Sequence, residues 1–451
     1  MNDSMLNNQP YDVVVIGGGV AGTALLYSLA KFTDLKRIAL VEKYDRIADV
    51  NSKATNNSQT IHCGDIETNY TLEKAIKVKR NASMVARYGA ELPPAERDRV
   101  VFKYPKMVLG VGEKECQFLR DRFPVFSPHF PGMQFLEKSQ VAEIEPNVVK
   151  VDGRDRPEEV VAIGILDEYT AVNYGALAQS FVDKALAVDD KTVDLRLGQA
   201  ITSITPVGEQ YQIQIGDDRI TARFVVVSAG GHSLLFAHKL GYGLEYSCLP
   251  MAGSFYFTPQ VLNGKVYTIQ NDKLPFAAVH GDPDVLVPGK TRFGPTALPL
   301  PLLERYSPRT FFDYMQVLRL DGAVVEVIWD LMKVSDIRNY FFQNIAYEIP
   351  GINRRLFLRE IQKIVPSLKL EDLEFAKGFG GVRPQLIDKN QKKLILGQAA
   401  IDPDAPISFN ITPSPGATNC LGTAEQDLLK IQRYLGCDVD RSWFDNRSVV
   451  A

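Results

Sequence analysis

One stretch constrains this chain more than any other: YDVVVIGGGVAGTALLYSLAK, from Tyr11 to Lys31. It opens as an unbroken apolar run, the pattern of a strand buried on both faces of a parallel sheet. Gly17, Gly19 and Gly22 then fit G-x-G-x-x-G, with Gly18 inside the turn. The first glycine permits the tight turn, the second brings backbone up to a pyrophosphate, and the third lets the next helix pack close to the strand. The free N–H groups and positive dipole end of that helix suit phosphate. A second buried strand, RIALVEK, ends in Glu42, 20 residues past Gly22, where a carboxylate accepts the hydroxyls of an adenosine ribose. Strand, helix and acid at these distances point together to a dinucleotide site. Glutamate rather than arginine argues against a 2′-phosphate. The motif alone leaves FAD and NAD both open.

The rest of the composition sets outer limits. A length of 451 residues predicts two or three domains, and 45% hydrophobic with 23% charged residues is a globular balance with material for a large core. Basic residues number 51 and acidic residues 54, which leaves no footprint for nucleic acid. Five cysteines, an odd count without a C-x-x-C pair, favour a reducing compartment over a disulfide framework. The start, MNDSMLNNQP, has no apolar signal core. Val13–Ala30 carries 18 uncharged residues, but four glycines break it, so it reads as strand, turn and helix rather than a membrane span. No comparable run occurs elsewhere, which leaves peripheral membrane contact open.

Two later segments favour FAD. TARFVVVSAGGHS is a hydrophobic strand running into Ala229, Gly230 and Gly231, small residues that let a cofactor pass close to backbone. It follows QAITSITPV and QYQIQIG, whose alternation predicts a β-meander. Near the C-terminus, Leu421, Ala424, Leu428, Leu429, Ile431 and Leu435 are spaced as on a helix, with Pro415, Gly416, Ala417 and Thr418 at its start. A helix N-terminus aimed at a flavin ring stabilises the negative charge that develops there on reduction.

In this order the Gly17–Gly22 turn with Glu42, the FVVVSAGG strand, the GVRP turn at Gly381–Pro384 and the SPGAT helix start resemble the D-amino-acid-oxidase-like flavoproteins. Asn57–Thr71 (NSQTIHCGDIETNYT) and the blocks within Leu249–Pro301 (LPMAGSFYF, LPFAAVHGDPDV, GKTRFGPTALPLP) narrow this to a resemblance to the malate:quinone oxidoreductases, in the shorter form of that family. The same blocks are looser in L-2-hydroxyglutarate oxidases and dehydrogenases. The resemblance implies an α/β fold in which a Rossmann-like FAD-binding domain (1–85, 155–245 and 375–451) is interleaved with an α+β substrate domain (86–154 and 246–374). It also implies oxidation of (S)-malate to oxaloacetate, a tricarboxylic acid cycle step. Electrons would pass to tightly bound FAD and on to a membrane quinone, with the enzyme peripheral on the cytoplasmic face of a bacterial inner membrane. The competing readings are 2-hydroxyglutarate oxidation and a flavin-binding redox sensor without turnover.

Oxidising a 2-hydroxy acid needs a hydride acceptor, a base for the hydroxyl proton, a cation for the carboxylate and exclusion of water. The flavin supplies the first. A neutral imidazole suits the second, and the chain has five: His62, His129, His232, His238 and His280. His280, in PFAAVHGDPD, falls in a matching block and is one expected base; the bland reading is a turn cap. No other His or Cys stands at ligand spacing to that acidic cluster, so no metal is expected. His62 lies where the family's loop passes the flavin and is the other expected base. Its neighbours Ser58, Gln59 and Thr60 are expected to hold flavin or substrate. Cys63 reads as a buried thiol, with covalent flavin attachment as the sharper alternative. His232 is placed near the cofactor and His129 is read as structural. Arg383 matches the family's G-x-R-P arginine, whose planar guanidinium grips a carboxylate through two parallel bonds. Tyr256 and Arg292 are candidates for malate's second carboxylate. Finally, 335–368 mixes aromatic residues with Arg338, Arg354, Arg355, Arg359 and Lys363, a composition suited to helices lying in a bilayer interface.

Overall fold

The computed structural model describes residues 9–270, 278–395, 399–411 and 415–446. The polar start of the chain and residues 271–277 of the Leu249–Pro301 block lie outside the described residues. Tyr11–Ile16 is a parallel strand between Arg37–Val41 and Asp218–Val227, with Val14 opposite Ala39 on one side and Val225 on the other. Val13, Val14 and Val15 are fully buried, as an apolar run between two covered faces requires. Thr192–Arg196 extends the sheet beyond Arg37–Val41, and Ile407–Ile411 pairs in parallel with Asp218–Val227. The expected meander is present: Ile201–Val207, Gln210–Ile215 and Asp218–Val227 pair antiparallel in succession.

The helix Val20–Phe32 covers one face and packs on Tyr174–Leu186 and Cys420–Leu435. Its approach depends on Gly22: a Cβ there would lie 2.0 Å from the Gly17 carbonyl oxygen, a backbone atom that cannot yield. Gly17 itself has φ +112°, a conformation that side chains oppose. Three strand ends therefore meet at one point. The Gly17 N–H donates to the Val41 carbonyl (2.9 Å) and the Ser228 N–H to the Ile16 carbonyl (2.7 Å). Ligands of open parallel sheets bind at this carboxyl edge.

A second sheet of eight strands runs in the order Glu374–Phe375, Tyr256–Pro259, Lys290–Gly294, His280–Pro283, Lys265–Thr268, Lys106–Val111, Val160–Ile165 and Gln134–Glu137. A smaller sheet joins Tyr246–Ala252 to Val382–Asp388, with Met251 opposite Arg383. Placement departs from the expected segment boundaries in three ways. Val160–Ile165 belongs to the second sheet although it lies past residue 155. Leu92, Val100 and Val101 join the core beneath the first sheet although they lie past residue 85. Val382–Asp388 pairs with a strand from the other expected domain, because its register partners lie more than a hundred residues away, where no local pattern reaches. The long C-terminal helix starts at Cys420, after a turn through 415–419, rather than at Ala417.

Candidate active site

A cavity of about 570 Å³ opens at the carboxyl edge of the first sheet and continues toward the second. Gly17, Gly19, Glu42, Ala229, Gly230, Gly231, Pro415, Gly416, Ala417 and Thr418 line it. The Glu42 carboxylate accepts the Gly18 N–H (2.6 Å) and the Tyr44 N–H (2.9 Å), one on each oxygen. These bonds hold it at the strand end while leaving each oxygen a lone pair for a ribose hydroxyl. Gly18 and Gly22 stand behind the wall; they shape the turn rather than face the cavity. Ser52 was not legible as a site residue. Its hydroxyl accepts the Val20 N–H (2.9 Å) and lines the cavity beside the helix start.

The far end of the cavity carries the polar chemistry. Three loops are latched there by backbone bonds. The Gly380 N–H reaches the Thr55 carbonyl (3.0 Å), the Gly253 N–H the Gly381 carbonyl (3.0 Å), and the Val382 N–H the Asn51 side-chain oxygen (3.0 Å). Gly381 permits this closeness, since a Cβ there would sit 2.4 Å from the Asn56 carbonyl oxygen. The latch sets Arg383, Ser58, Thr60 and His62 around one space. A second knot fixes the His62 loop: Tyr174 donates to the Thr60 carbonyl (2.8 Å), its hydroxyl also meets the Thr418 hydroxyl (2.8 Å), and Thr418 accepts the His62 N–H (3.2 Å).

His62 is the imidazole that lines the cavity beside Arg383, Ser58 and Thr60. Its Nδ1 lies 2.7 Å from Glu67 Oε1, and its Nε2 lies 3.4 Å from the Ser58 hydroxyl. A carboxylate on Nδ1 places the proton there and leaves Nε2 as an acceptor. Glu67 is buried, which works against its charge, yet the hydrogen bond from His62, the His62 charge and nearby Lys106 hold its carboxyl below the usual range. Glu67 went unread in the sequence, although it stands in the same block five residues after His62. Arg383 also lines the cavity, and no carboxylate partners it among the described residues. Burial lowers its affinity for a proton, with only Tyr340 and Tyr267 opposing. A desolvated guanidinium facing open space without a counter-charge is a receptor for an anion.

Several expected site residues lie elsewhere. His280 is buried behind Tyr267, with rings stacked at 4.2 Å, and does not reach the cavity. Burial and the neighbouring Lys265 charge keep it well below the ordinary histidine range. The sign of its effect on stability follows. The folded chain holds His280 neutral while the unfolded chain takes up a proton below about pH 6.5. Stability therefore falls as pH drops through that point, by up to about 1.4 kcal/mol per unit. Denaturant titrations of the parent and His280→Gln are expected to show the parent's advantage shrinking between pH 7.5 and 5.5.

Arg292 is fully buried in an ion cluster with Asp282 (3.4 Å) and Asp284 (3.2 Å), under the Phe255 ring at 4.4 Å. Phe255 lines the cavity, so Arg292 stands one ring away from it. Tyr256 is stacked on Phe357 at 4.3 Å, and its hydroxyl donates to the Tyr347 carbonyl (2.6 Å). Neither side chain has a face on the cavity. Gln59 is likewise turned away, its amide bonded to the Ala54 carbonyl (3.0 Å) and the Val285 N–H (3.1 Å). Cys63 does not line the cavity, and burial pushes its thiol up to about 12, which argues against covalent attachment. His232 does reach the wall, with its Nε2 3.2 Å from Asp313. His129 is exposed in a short turn.

Known proteins resolve what this arrangement belongs to. The described fold is shared with an FAD-bound L-α-glycerophosphate oxidase from Mycoplasma pneumoniae, at TM-score 0.65 and 19% identity over 96% of this chain and 97% of that one. A glycine oxidase from Geobacillus kaustophilus gives 0.63 and 16% over 98% and 100%. Closer in sequence is a protein named "Probable malate:quinone oxidoreductase" from Campylobacter jejuni, 46% identical over 98% of this chain and 99% of its own. The malate:quinone oxidoreductase of Helicobacter pylori (strain ATCC 700392 / 26695) is 45% identical over 94% and 95%. The family model for malate:quinone oxidoreductase matches residues 9–431. With nearly the whole length matched and the dinucleotide turn, His62 and Arg383 around one cavity, the chain belongs to the malate:quinone oxidoreductase family.

Proposed function

We propose that the protein oxidises (S)-malate to oxaloacetate, with FAD as the resident cofactor and a membrane quinone as final acceptor. We place it peripherally on the cytoplasmic face of a bacterial inner membrane. Among the described residues no helix is long and apolar enough to cross a bilayer. The observation that carries the chemistry is Arg383: a desolvated cation without a carboxylate partner among the described residues, on the wall of a cavity that also holds His62 and the Gly17–Glu42 turn.

The residues present fit FAD. Gly17 and Gly19 leave room for a pyrophosphate, Glu42 retains acceptor capacity for a ribose, and 415–418 bring a helix-leading turn to the far end. When bound, FAD takes two electrons and one hydrogen from malate C2 as hydride. The chain does the rest. Arg383 binds one carboxylate and turns C2 toward the cofactor. His62 Nε2 takes the hydroxyl proton as the carbonyl forms. Glu67 holds the ring through Nδ1 and stabilises the imidazolium that results. Phe255 and Pro295 close the wall against water.

A dye-linked assay with purified holoenzyme tests the reading. Reduction of dichlorophenolindophenol with (S)-malate, and not with L-2-hydroxyglutarate, is expected; the opposite preference would displace malate. Glu67→Gln is expected to lower turnover about 10–100-fold with flavin content unchanged. Glu67→Asp, which keeps a carboxylate on the Nδ1 side of His62, is expected to recover part of the loss. No recovery would reduce Glu67 to a packing role.

A further inference from the structure

We propose that the helices Thr310–Leu318, Gly322–Lys333 and Ser335–Ala346 form the surface by which this protein docks on a lipid bilayer bearing anionic headgroups. The proposal rests on the functional reading only in that a quinone acceptor is dissolved in lipid. Twelve of the eighteen exposed large apolar side chains among the described residues fall between Tyr306 and Ile352. Phe312 is 73% exposed, Trp329 63% and Phe342 60%, more than any of the other fifteen. Their spacing is helical: Phe312 with Met315, Val325 with Trp329, and Phe342 with Ile345. Each pair therefore lies on one side of its helix, and Ile349 follows in the turn after the third. The opposite sides are already satisfied, since Tyr314, Val317, Val324, Val327, Ile337 and Phe341 are buried in the core on the face of the first sheet away from the helix Val20–Phe32. Short helices with aromatic residues outward and a packed inner side are built to lie in the headgroup layer, about 5–10 Å deep. Tryptophan favours that layer.

Charge agrees with this occupant. Among the acids of the first two helices and their junction, Asp321 pairs with Lys389, Glu326 with Lys392 and Asp330 with Lys333, while Asp313 turns to the His232 ring at the cavity wall. Arg309 and Arg319 are exposed and have no carboxylate partner among the described residues. These two arginines offer positive charge at the rim, complementary to an anionic headgroup. A second copy on this face would bring these same arginines into one interface by two-fold symmetry, like charge against like. Position agrees as well. Asp313 lines the cavity from the helix that carries Phe311, Phe312 and Met315 outward, and Tyr340 lies close enough to Arg383 to feel its charge. Docking here sets the wall of the redox cavity against the lipid. The surface begins earlier than the aromatic and basic stretch 335–368 suggests, because Phe341, Tyr347 and Phe357 of that stretch are buried.

The holoenzyme with vesicles of phosphatidylcholine, with or without phosphatidylglycerol, provides the test. The chain has two tryptophans, and Trp443 is stacked on Phe32, so a change on docking reports Trp329. Expected are a blue shift of emission on adding phosphatidylglycerol vesicles, absent in Trp329→Phe, and at least about ten-fold weaker co-sedimentation of Phe312→Glu/Trp329→Glu. Arg309→Glu/Arg319→Glu is expected to lose the phosphatidylglycerol dependence alone. Dye-linked malate oxidation stays within about two-fold of the parent in all of these, since none touches the cavity. Unchanged Trp329 emission, undiminished sedimentation of the double glutamate variant, or a dimer that these variants split while vesicle binding persists would each overturn the proposal. Failure of the parent to oxidise malate would strike the functional reading and leave the vesicle result to stand or fall alone.

Discussion

Arg383→Ala is expected to lower the efficiency of malate oxidation about 100-fold or more, mainly as a rise in the malate concentration needed for half-maximal flavin reduction. Truncating one member of a buried, hydrogen-bonded charge pair costs about 2–5 kcal/mol, and about 2.7 kcal/mol is a hundredfold. The strand register fixes the position: Arg383 faces Met251 across two antiparallel strands, and the Gly380–Val382 latch holds the turn before it. Arg383→Lys keeps the charge but not the two-pronged geometry, so it is expected to recover only part of the loss. The measurement is anaerobic stopped-flow of flavin reduction against malate concentration. Equal half-saturation in parent and alanine variant would remove Arg383 from the substrate site.

His62→Ala is the second large effect. The limiting rate of flavin reduction at saturating malate is expected to fall about 10²–10⁴-fold, because proton removal from the hydroxyl loses its base. Half-saturation changes less, since the carboxylate grip remains. His280→Gln serves as the contrast. The buried His280 does not meet the cavity, so its variant is expected to keep the parent's limiting rate within a few-fold once folded. A His280 variant slower than the His62 variant would reverse the assignment of the base.

How far the sequence alone reached depended on distance along the chain. The glycine turn, Glu42 and the meander are local, and their periodicity and spacing carried over to the strands and the helix Val20–Phe32. The interleaving of the sheets was only partly legible. Val382–Asp388 takes its partner from Tyr246–Ala252, and nothing within either segment names the other. The histidine choice was hidden for a similar reason. His62 and His280 both stand in matching blocks, and only the stacking of His280 behind Tyr267 separates them. Tyr256 and Arg292 carry suitable chemistry, but their strands turn them inward, where Tyr347 and the Asp282–Asp284 pair already engage them. Glu67 was overlooked because a lone acid in a polar run looks like a solvated residue. Burial against His62 gives it its meaning.

The central claim is that a hydroxydicarboxylate held by Arg383 gives up its C2 hydrogen to FAD in this cavity while His62 takes the proton. Anaerobic mixing of the holoenzyme with (S)-malate, followed by the visible flavin absorbance, tests it most directly. The account predicts rapid bleaching, oxaloacetate equal in amount to the flavin reduced, and recovery of the oxidised spectrum on adding a soluble quinone. A flavin that dithionite reduces but excess (S)-malate leaves oxidised would contradict it.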